Sequence, residues 1–416
     1  RCPISKRCTY AEFILGAGGI RMIVRLTFLA IQVIATLGVV IPLAIHVWLN
    51  RYWIKTPYPE LESCHDNDLP FLCIVLPVWN EEVIIERKLN NLIEQRYPIN
   101  RRRFMVVDSA STDGTVEIIK TWMKENEVEV SIIEMVTRLG KSAAVNRAIE
   151  ELNPEDEIFV MTDAEAILEP GALRRIGRWM RNQNIGAVCG GLDDKSDSTS
   201  YRNWYRWFRE GESRIDSTPI FEGSIAAYRS SAIGPIRSTS NADDSQLAVR
   251  VRESGLRSIS DNAICFSEKP ITNPKESIAR TTRRGQGLSR HFWRHKRHWF
   301  RGGDWGKILG LNGLQHTVSP WLIIIGILAG ISHALTVILI GWTGSEATLL
   351  DRGMLLIDAL VIFSLGIGVT GIRVPLCGTI LAYLQNNLYL AYGMVLLKAG
   401  KSLHQWDSIK SNRIDI

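Results

Sequence analysis

From Leu26 to Asn50 the chain carries no Asp, Glu, Lys or Arg, a longer charge-free stretch than the about 20 residues a helix needs to cross a bilayer. The run is too long for a secretory signal peptide, and no small-residue cleavage site follows before Arg51 and Trp53. A transmembrane helix over residues 23–49 is therefore expected. Three further apolar runs follow Gly313, at residues 318–342, 354–372 and 376–397, separated by GSEATLLDRG and by Arg373-Val374-Pro375. They explain why 46% of the residues are hydrophobic, a high share for a soluble chain. The expected layout is an N-terminal segment (1–56), a charged and punctuated domain (57–280), an interfacial stretch (281–317), C-terminal transmembrane helices (318–398) and a tail (399–416).

The stretch TTRRGQGLSRHFWRHKRHWFRGGDWGKILG, residues 281–310, interleaves Arg, Lys and His with Trp and Phe. That composition suits a helix lying among lipid headgroups. As a solvated linker it would expose Phe292, Trp293, Trp299, Phe300 and Trp305. The formal charge of +6 sits largely in such stretches, which fits anionic lipid; no nucleic-acid recognition motif is present, so membrane lipids are expected partners and nucleic acid is not. The 7 cysteines contain no CxxC pair, which gives no indication of a zinc site or a disulfide framework.

Inside the central domain, strand-like runs alternate with helical patterns: FLCIVLP, EVIIERKLNNLIEQ, RFMVVD, TVEIIKTWMKEN, VSIIEM, GKSAAVNRAIEEL, EIFVMTD and PGALRRIGRWMRNQ. This alternation predicts an α/β fold with a mostly parallel sheet covered by helices. Ligands of such sheets bind at the carboxyl ends of the strands. Pro77, Asn80 and Glu81 follow the first strand, Asp108 closes the second, and Asp163 and Glu165 follow the fourth.

Two carboxylates one residue apart at a strand end can face a single hard cation, which would stabilise a departing diphosphate; surface acidic pairs of this spacing are also common. Asp108 can accept from a nucleobase N–H, or it caps the next helix. Asp113-Gly114-Thr115 reads as turn and cap chemistry. Lys141 opens a helix after a glycine, where it can reach a diphosphate or base pocket or simply be solvated. Asp243 and Asp244 stand at a helix start, either as dipole-matched caps or with one of them as a general base toward an acceptor hydroxyl.

In this order the segments resemble the family 2 glycosyltransferases with a GT-A fold, particularly the membrane synthases of the cellulose, hyaluronan and chitin type. FLCIVLPVWNEE is similar to the family's opening strand with P-V-x-N-E, FMVVDSASTDGT to V-D-D-G-S-T-D-G-T, and RLGKSAAVNRAI to G-K-x-x-A-x-N. MTDAEAILEPGAL is similar to the D-x-D strand, FEGSIAAYRSSAI to G-x-x-x-x-Y-R, and NADDSQLAVRVRESG to E-D-x-x-L-x-x-R. The resemblance covers roughly residues 71–305 with the flanking helices.

The resemblance implies a GT-A sheet inserted between transmembrane helices, with amphipathic interfacial helices. It implies inverting transfer from a UDP- or GDP-sugar to a lipid or glycan acceptor, with Mg or Mn held by Asp163 and Glu165. Pro77, Asn80, Glu81, Asp108, Lys141 and Asp163 would bind the donor nucleotide, Asp108 its base. Asp244 would be the catalytic base, with Asp243 in place of the usual Glu. Ser109 and Glu165 stand where the family often has Asp. Processive members carry Q-x-x-R-W; here Gln286, Arg290 and Trp293, the acceptor and diphosphate candidates, are spaced Q-x-x-x-R-x-x-W. Polymer synthesis and single-sugar transfer to a lipid, including a polyprenyl phosphate, therefore both stay open, and a non-catalytic nucleotide-binding scaffold is the alternative from another class.

Nucleotide sugars are cytosolic, so a multi-pass protein of the cell membrane with a cytoplasmic catalytic domain is expected. One helix before and three after would put both termini outside. Lys6, Arg7, Arg21 and Arg25 before the first helix and Lys398, Lys401, Lys410 and Arg413 after the last oppose that placement. Either one apolar segment is re-entrant or residues 10–20 also enter the membrane. Gln385-Asn386-Asn387 in the last apolar run are expected to bond between helices or to line an acceptor channel.

Overall fold

The computed structural model describes residues 5–58, 61, 63–193, 200–341, 347–370 and 374–403. In chain order the helices and strands are α1 (Ser5–Trp53), β1 (Leu72–Val78), α2 (Ile85–Ile93), β2 (Arg102–Asp108), α3 (Thr115–Asn126), β3 (Val130–Glu134), α4 (Lys141–Glu150), β4 (Ile158–Thr162), β5 (Ile167–Leu168) and α5 (Ala172–Arg181). There follow β6 (Ile185–Leu192), α6 (Ser200–Ile215), β7 (Ile225–Arg229), α7 (Asp243–Glu253), β8 (Arg257–Ser267), α8 (Pro274–Arg294), α9 (Gly303–Thr317), α10 (Ser319–Gly341), α11 (Leu349–Val369) and α12 (Pro375–Lys398). The chain divides into two compact units, one of Arg1–Ile45 with Leu314–Ala391, the other of His46–Gly313 with Tyr392–Ile416.

The second unit is built on an eight-stranded sheet in the order β3-β2-β1-β4-β7-β6-β8-β5. Strands β1 to β4 pair in parallel, β7 runs antiparallel between β4 and β6, and β8 is parallel to β6. Alternate side chains of a strand face opposite sides of a sheet, and here each side is a core. Leu72, Ile74, Leu76, Phe104, Val106, Ile158 and Val160 enter one; Cys73, Val75, Met105, Val107, Phe159 and Met161 enter the other. Burial on both faces is why these strands read as continuous apolar runs.

The sheet opens at one point. The β1–β2 ladder runs from Leu72↔Arg102 to Val78↔Asp108, whereas the β1–β4 ladder stops at Val75↔Met161. Pro77 lies past that stop. A proline has no N–H for a ladder, so its place in a central strand is tolerated where β4 no longer pairs. The carboxyl ends of β1 and β4 diverge there.

The interfacial stretch is two helices. Asn273 caps α8, its side chain accepting from Lys275 N (3.0 Å), with Pro274 in the first turn. The helix therefore starts well before residue 281 and runs through the expected domain boundary. The break before α9 contains Phe300 and Gly302 at φ 59° and 76°, and α9 opens on Gly303 at φ 75°. Phe292 and Trp305 are buried with Trp53, Val249, Ile308 and Leu309, while Trp293 is 56% exposed. The aromatics of this stretch thus divide between a core and the surface.

In the other unit, polar residues find partners within the bundle. Gln32 Nε2 donates to both carboxylate oxygens of Asp358 (2.9 and 2.8 Å), and Asp351 meets His333 Nε2 at 2.9 Å and Arg25 at 3.8 Å. Thr348 and Asp351 form a capping box, so α11 begins at Leu349 rather than 354: the acidic residue read as loop is the third residue of a helix. Asn386 and Asn387 donate to Ala382 O (2.7 Å) and Tyr383 O (2.8 Å) one turn back in α12, which bonds their amides within the helix itself. Among the described residues, four helices are long and apolar enough to cross a membrane, at Met22–Trp53, Ser319–Ile338, Leu349–Val369 and Cys377–Lys398. Leu328, Ile331, Ile362 and Phe363 are among their exposed apolar side chains.

Candidate active site

Three backbone turns at strand ends make the rim of the crevice. After β1, Asn80 sits at φ 54° and its Oδ1 accepts from Thr112 N (2.8 Å). Asn80 N donates to Ser111 Oγ (2.9 Å) and Glu81 N to Thr115 Oγ1 (2.8 Å). Asn80 and the backbone of Glu81 therefore knit the β1 turn to the β2 turn. Asp108 is 3% exposed and accepts from Ser111 N at 3.0 Å; α3 starts only at Thr115, so Asp108 closes a turn and does not cap that helix. The cap chemistry lies at Asp113, which accepts from Thr115 N (3.1 Å). Arg138 lies over the Trp79 ring, 3.4 Å from its centroid.

Between β4 and β5 the turn 163–166 carries the paired carboxylates. Lys141 Nζ lies 2.6 Å from Asp163 Oδ1 and 3.5 Å from Asp243 Oδ2, so the first residue of α4 links the β4 turn to the start of α7. Burial works against the charge on both partners. The carboxylates nonetheless hold the Lys141 ammonium above its ordinary value, and Lys141 with Arg284 and Arg280 holds Asp163 below its own. Glu165 Oε1 meets Arg280 at 3.1 Å, and Arg280 also meets Glu268 at 3.0 Å.

Asp244 shares this centre. Its Oδ1 accepts from Ser245 N (2.7 Å), and Tyr228 OH donates to its backbone oxygen (3.0 Å). Burial, then the neighbouring Asp243 carboxylate, push the Asp244 carboxyl up to about 7, against the pull of Lys141. Ala242 before the pair stands at φ 82°, a left-handed conformation that costs a non-glycine residue about 1 kcal/mol or more. Gly223 leaves room for the carboxylate, since a Cβ there would lie 3.0 Å from Asp244 Oδ2 and 3.4 Å from Lys141 Nζ. Gly223→Ala is expected to displace Asp244 and lower kcat about tenfold with little change in Tm, checked by steady-state kinetics and a melting curve.

Several residues that bear on this site carried no motif. Lys88 of α2 is fully buried and donates to Thr162 Oγ1 (2.9 Å) and Ala166 O (2.5 Å), either side of the carboxylate turn. Burial lowers its ammonium pKa to about 7, against the pull of Asp163 and Glu268. Thr162 Oγ1 donates onward to Ser224 O (2.8 Å), and Ser224 Oγ donates to Glu268. With Arg280 this makes a polar ring around Asp163-Ala164-Glu165. The available signal was Lys88 standing on the apolar stripe of α2 with Ile85, Leu89 and Leu92. Glu222 pairs with Arg209 (2.7 Å); burial would raise its pKa, but Arg209 and Arg284 bring it down to about 2.

The candidates of α8 behave differently. Gln286 is buried and its amide bonds only backbone groups: it donates to Gly393 O (2.9 Å) and Lys401 O (3.1 Å) and accepts from Leu403 N (2.8 Å). Arg290 donates to Thr239 O (2.8 Å) and Ser402 Oγ (3.1 Å). The Trp293 ring lies under Lys296, 4.3 Å from Nζ to centroid.

Asp163 and Glu165 supply hard oxygen donors, and no group of three or more His, Cys, Asp or Glu side chains arranged for a metal occurs among the described residues. That donor set fits Mg or Mn, ions that complete their shells with water and substrate phosphate when the protein offers one or two carboxylates.

Residues 73–236 match the family model described as Glycosyl transferase family 2. Among solved structures, the mannosyltransferase PcManGT from Pyrobaculum calidifontis, in complex with GDP-Man and Mn2+, is 25% identical with a TM-score of 0.74, over 90% of this chain and 99% of its own. The probable glycosyltransferase YdaM of Bacillus subtilis is 24% identical over 57% of this chain and 56% of its own length. A beta-monoglucosyldiacylglycerol synthase of Nostoc sp. is 29% identical over 29% of this chain and 25% of its own length. The chain thus spans about half or less of these two relatives. Residues 73–236 are thus a glycosyl transferase family 2 domain, set in a GT-A arrangement of sheet and helices.

Proposed function

We propose that the chain transfers a sugar from a UDP- or GDP-sugar, with inversion, to a lipid or glycan acceptor at a membrane surface. The observation that carries this reading is the meeting of Asp163, Lys141, Asp243 and Asp244 at the carboxyl end of β4 and the start of α7. An acceptor hydroxyl oxygen bonds to the anomeric carbon as the bond to the diphosphate oxygen breaks, and Asp244 takes the hydroxyl proton. Lys141, Arg280 and Arg284 offset the charge that gathers on the leaving diphosphate. A bound Mg or Mn, held by Asp163 and Glu165, would neutralise further diphosphate charge. Asp108 and the Trp79–Arg138 stack form the wall for the base. Relatives whose names record GDP-Man, Mn2+ and a glycolipid synthase support the nucleotide-sugar donor, the metal and a lipid acceptor.

One observation favours a phosphate-bearing acceptor as a second reading. The guanidinium groups of Arg283 and Arg284 have no hydrogen-bond or ion-pair partner among the described residues. Burial, then Arg284 and Arg280, lower the Arg283 pKa to about 10. Guanidinium groups near carboxylates but not hydrogen-bonded to them have N–H donors left for phosphate oxygens, of the donor or of a polyprenyl phosphate.

The same reading puts the catalytic unit in the cytoplasm. Gly393, Lys401 and Leu403 bond to Gln286 within that unit. Lys398 and Lys401 would be cytoplasmic, as the positive-inside tendency requires.

The test is release of nucleoside diphosphate by detergent-purified protein, over a panel of nucleotide sugars with lipid extract, with and without Mn. Metal-dependent release with one donor is expected, and no release with any donor would return the scaffold reading. Because Asp244 must be deprotonated to act as a base, the rate is expected to fall as pH drops below about 7, about tenfold per unit. A flat profile from pH 5.5 to 8 would count against the base.

A further inference from the structure

The end of α12 and the turn beyond it make bonds that no transferase motif accounts for. Gly400, at φ 80°, terminates the helix, with Lys401 N donating back to Leu396 O (2.9 Å). This Schellman-type closure needs a left-handed residue, which glycine supplies without strain. It turns the chain back onto α8, where Gln286 grips three separate backbone groups of the segment.

The grip continues toward the catalytic pair. Asn241 Nδ2 donates to Leu403 O (3.0 Å) and to Arg283 O (2.7 Å), so the Leu403 N–H and C=O are held by Gln286 and Asn241 respectively. Arg290 bridges Ser402 Oγ and Thr239 O. Two close approaches leave little slack: a Cβ on Gly287 would lie 2.6 Å from Asn241 O, and one on Gly393 would lie 3.0 Å from Thr282 O. Asn241 is one residue before the strained Ala242 and two before Asp243, while Ser142, beside Lys141, donates to Ser240 O at 2.5 Å.

We propose that residues 393–403 form a strap that sets the position of Asp244, with Gln286, Asn241 and Arg290 acting as positioning residues rather than as contacts to acceptor or diphosphate. The strained turn at Ala242 keeps its conformation only while its surroundings over-determine it, and the strap provides that constraint from one side as Ser142 does from the other. The inference rests on Asp244 being the base of the proposed transfer. It makes the site dependent on how α12 ends.

The test uses the full chain, two truncations and two substitutions, with UDP and GDP plus Mn as binding probes. Ending the chain after Lys398 is expected to lower kcat at least tenfold while the Kd of the bound nucleoside diphosphate changes less than twofold; ending it after Leu403 is expected to leave both unchanged. Gln286→Met keeps the side-chain volume and removes the grip, and Asn241→Leu removes the second hold. Both are expected to lower kcat without raising the acceptor KM, and to move the acid limb of the pH profile, which a purely structural role would leave in place. Parent kcat in both substitutions would overturn the strap, as would a raised acceptor KM at unchanged kcat in Gln286→Met. Asp244→Asn separates the two ideas: full activity there removes the base reading, whereas parent activity in the strap variants removes the strap alone.

Discussion

Replacing Asp244 by Asn is expected to lower kcat about a thousandfold with donor binding and Tm preserved. The side chain keeps its shape and its acceptor toward Ser245 N, but an amide cannot take a proton from an acceptor hydroxyl. It also removes one of two adjoining carboxylates, and with it the repulsion from Asp243 that adds to burial in raising the Asp244 pKa, so the fold loses nothing it depends on. Steady-state kinetics with the donor identified by the panel, together with nucleoside diphosphate Kd by calorimetry, would check this. Activity retained in this variant would shift weight to a phosphate acceptor, which is already ionised and needs no base. Arg283 and Arg284 would then become the side chains to change next.

The second large effect is expected at Lys88. Lys88→Ala would leave a cavity in the core and two acceptors, Thr162 Oγ1 and Ala166 O, without their donor. The expected cost is about 3–5 kcal/mol, read as a drop of roughly 10 °C in apparent Tm. Lys88→Met fills most of that volume and removes a buried charge whose desolvation is itself costly. Stability within about 2 kcal/mol of the parent is expected there, together with a clear loss of kcat as the turn carrying Asp163 and Glu165 loosens. Equal activity of Lys88→Met and parent would show that the ammonium fills space and does not brace the turn.

Much of the architecture was legible because its signals are local. A charge-free run from Leu26 to Asn50 can only be satisfied by an apolar environment, and apolar strands alternating with amphipathic helices leave few sheet topologies. The turn at Asp113 follows from a side chain acting on its own backbone, accepting from Thr115 N two residues on. The start of α11 differs from its expected place for a reason of the same kind: a carboxylate beside an apolar run looks like loop until Thr348 is seen to cap with it.

Chemistry between distant residues was a matter for the tertiary structure. Periodicity and residue type were enough to set the strands, the apolar helices and the identity of the carboxylates. Only the fold decided that Lys141 would lie between Asp163 and Asp243, that Lys88 would sit beneath the carboxylate turn, and that Gln286 would bind backbone of Gly393, Lys401 and Leu403. Each of these depends on which chain segments share one small volume, and a buried charge or amide takes whatever complementary group packing brings within hydrogen-bond reach.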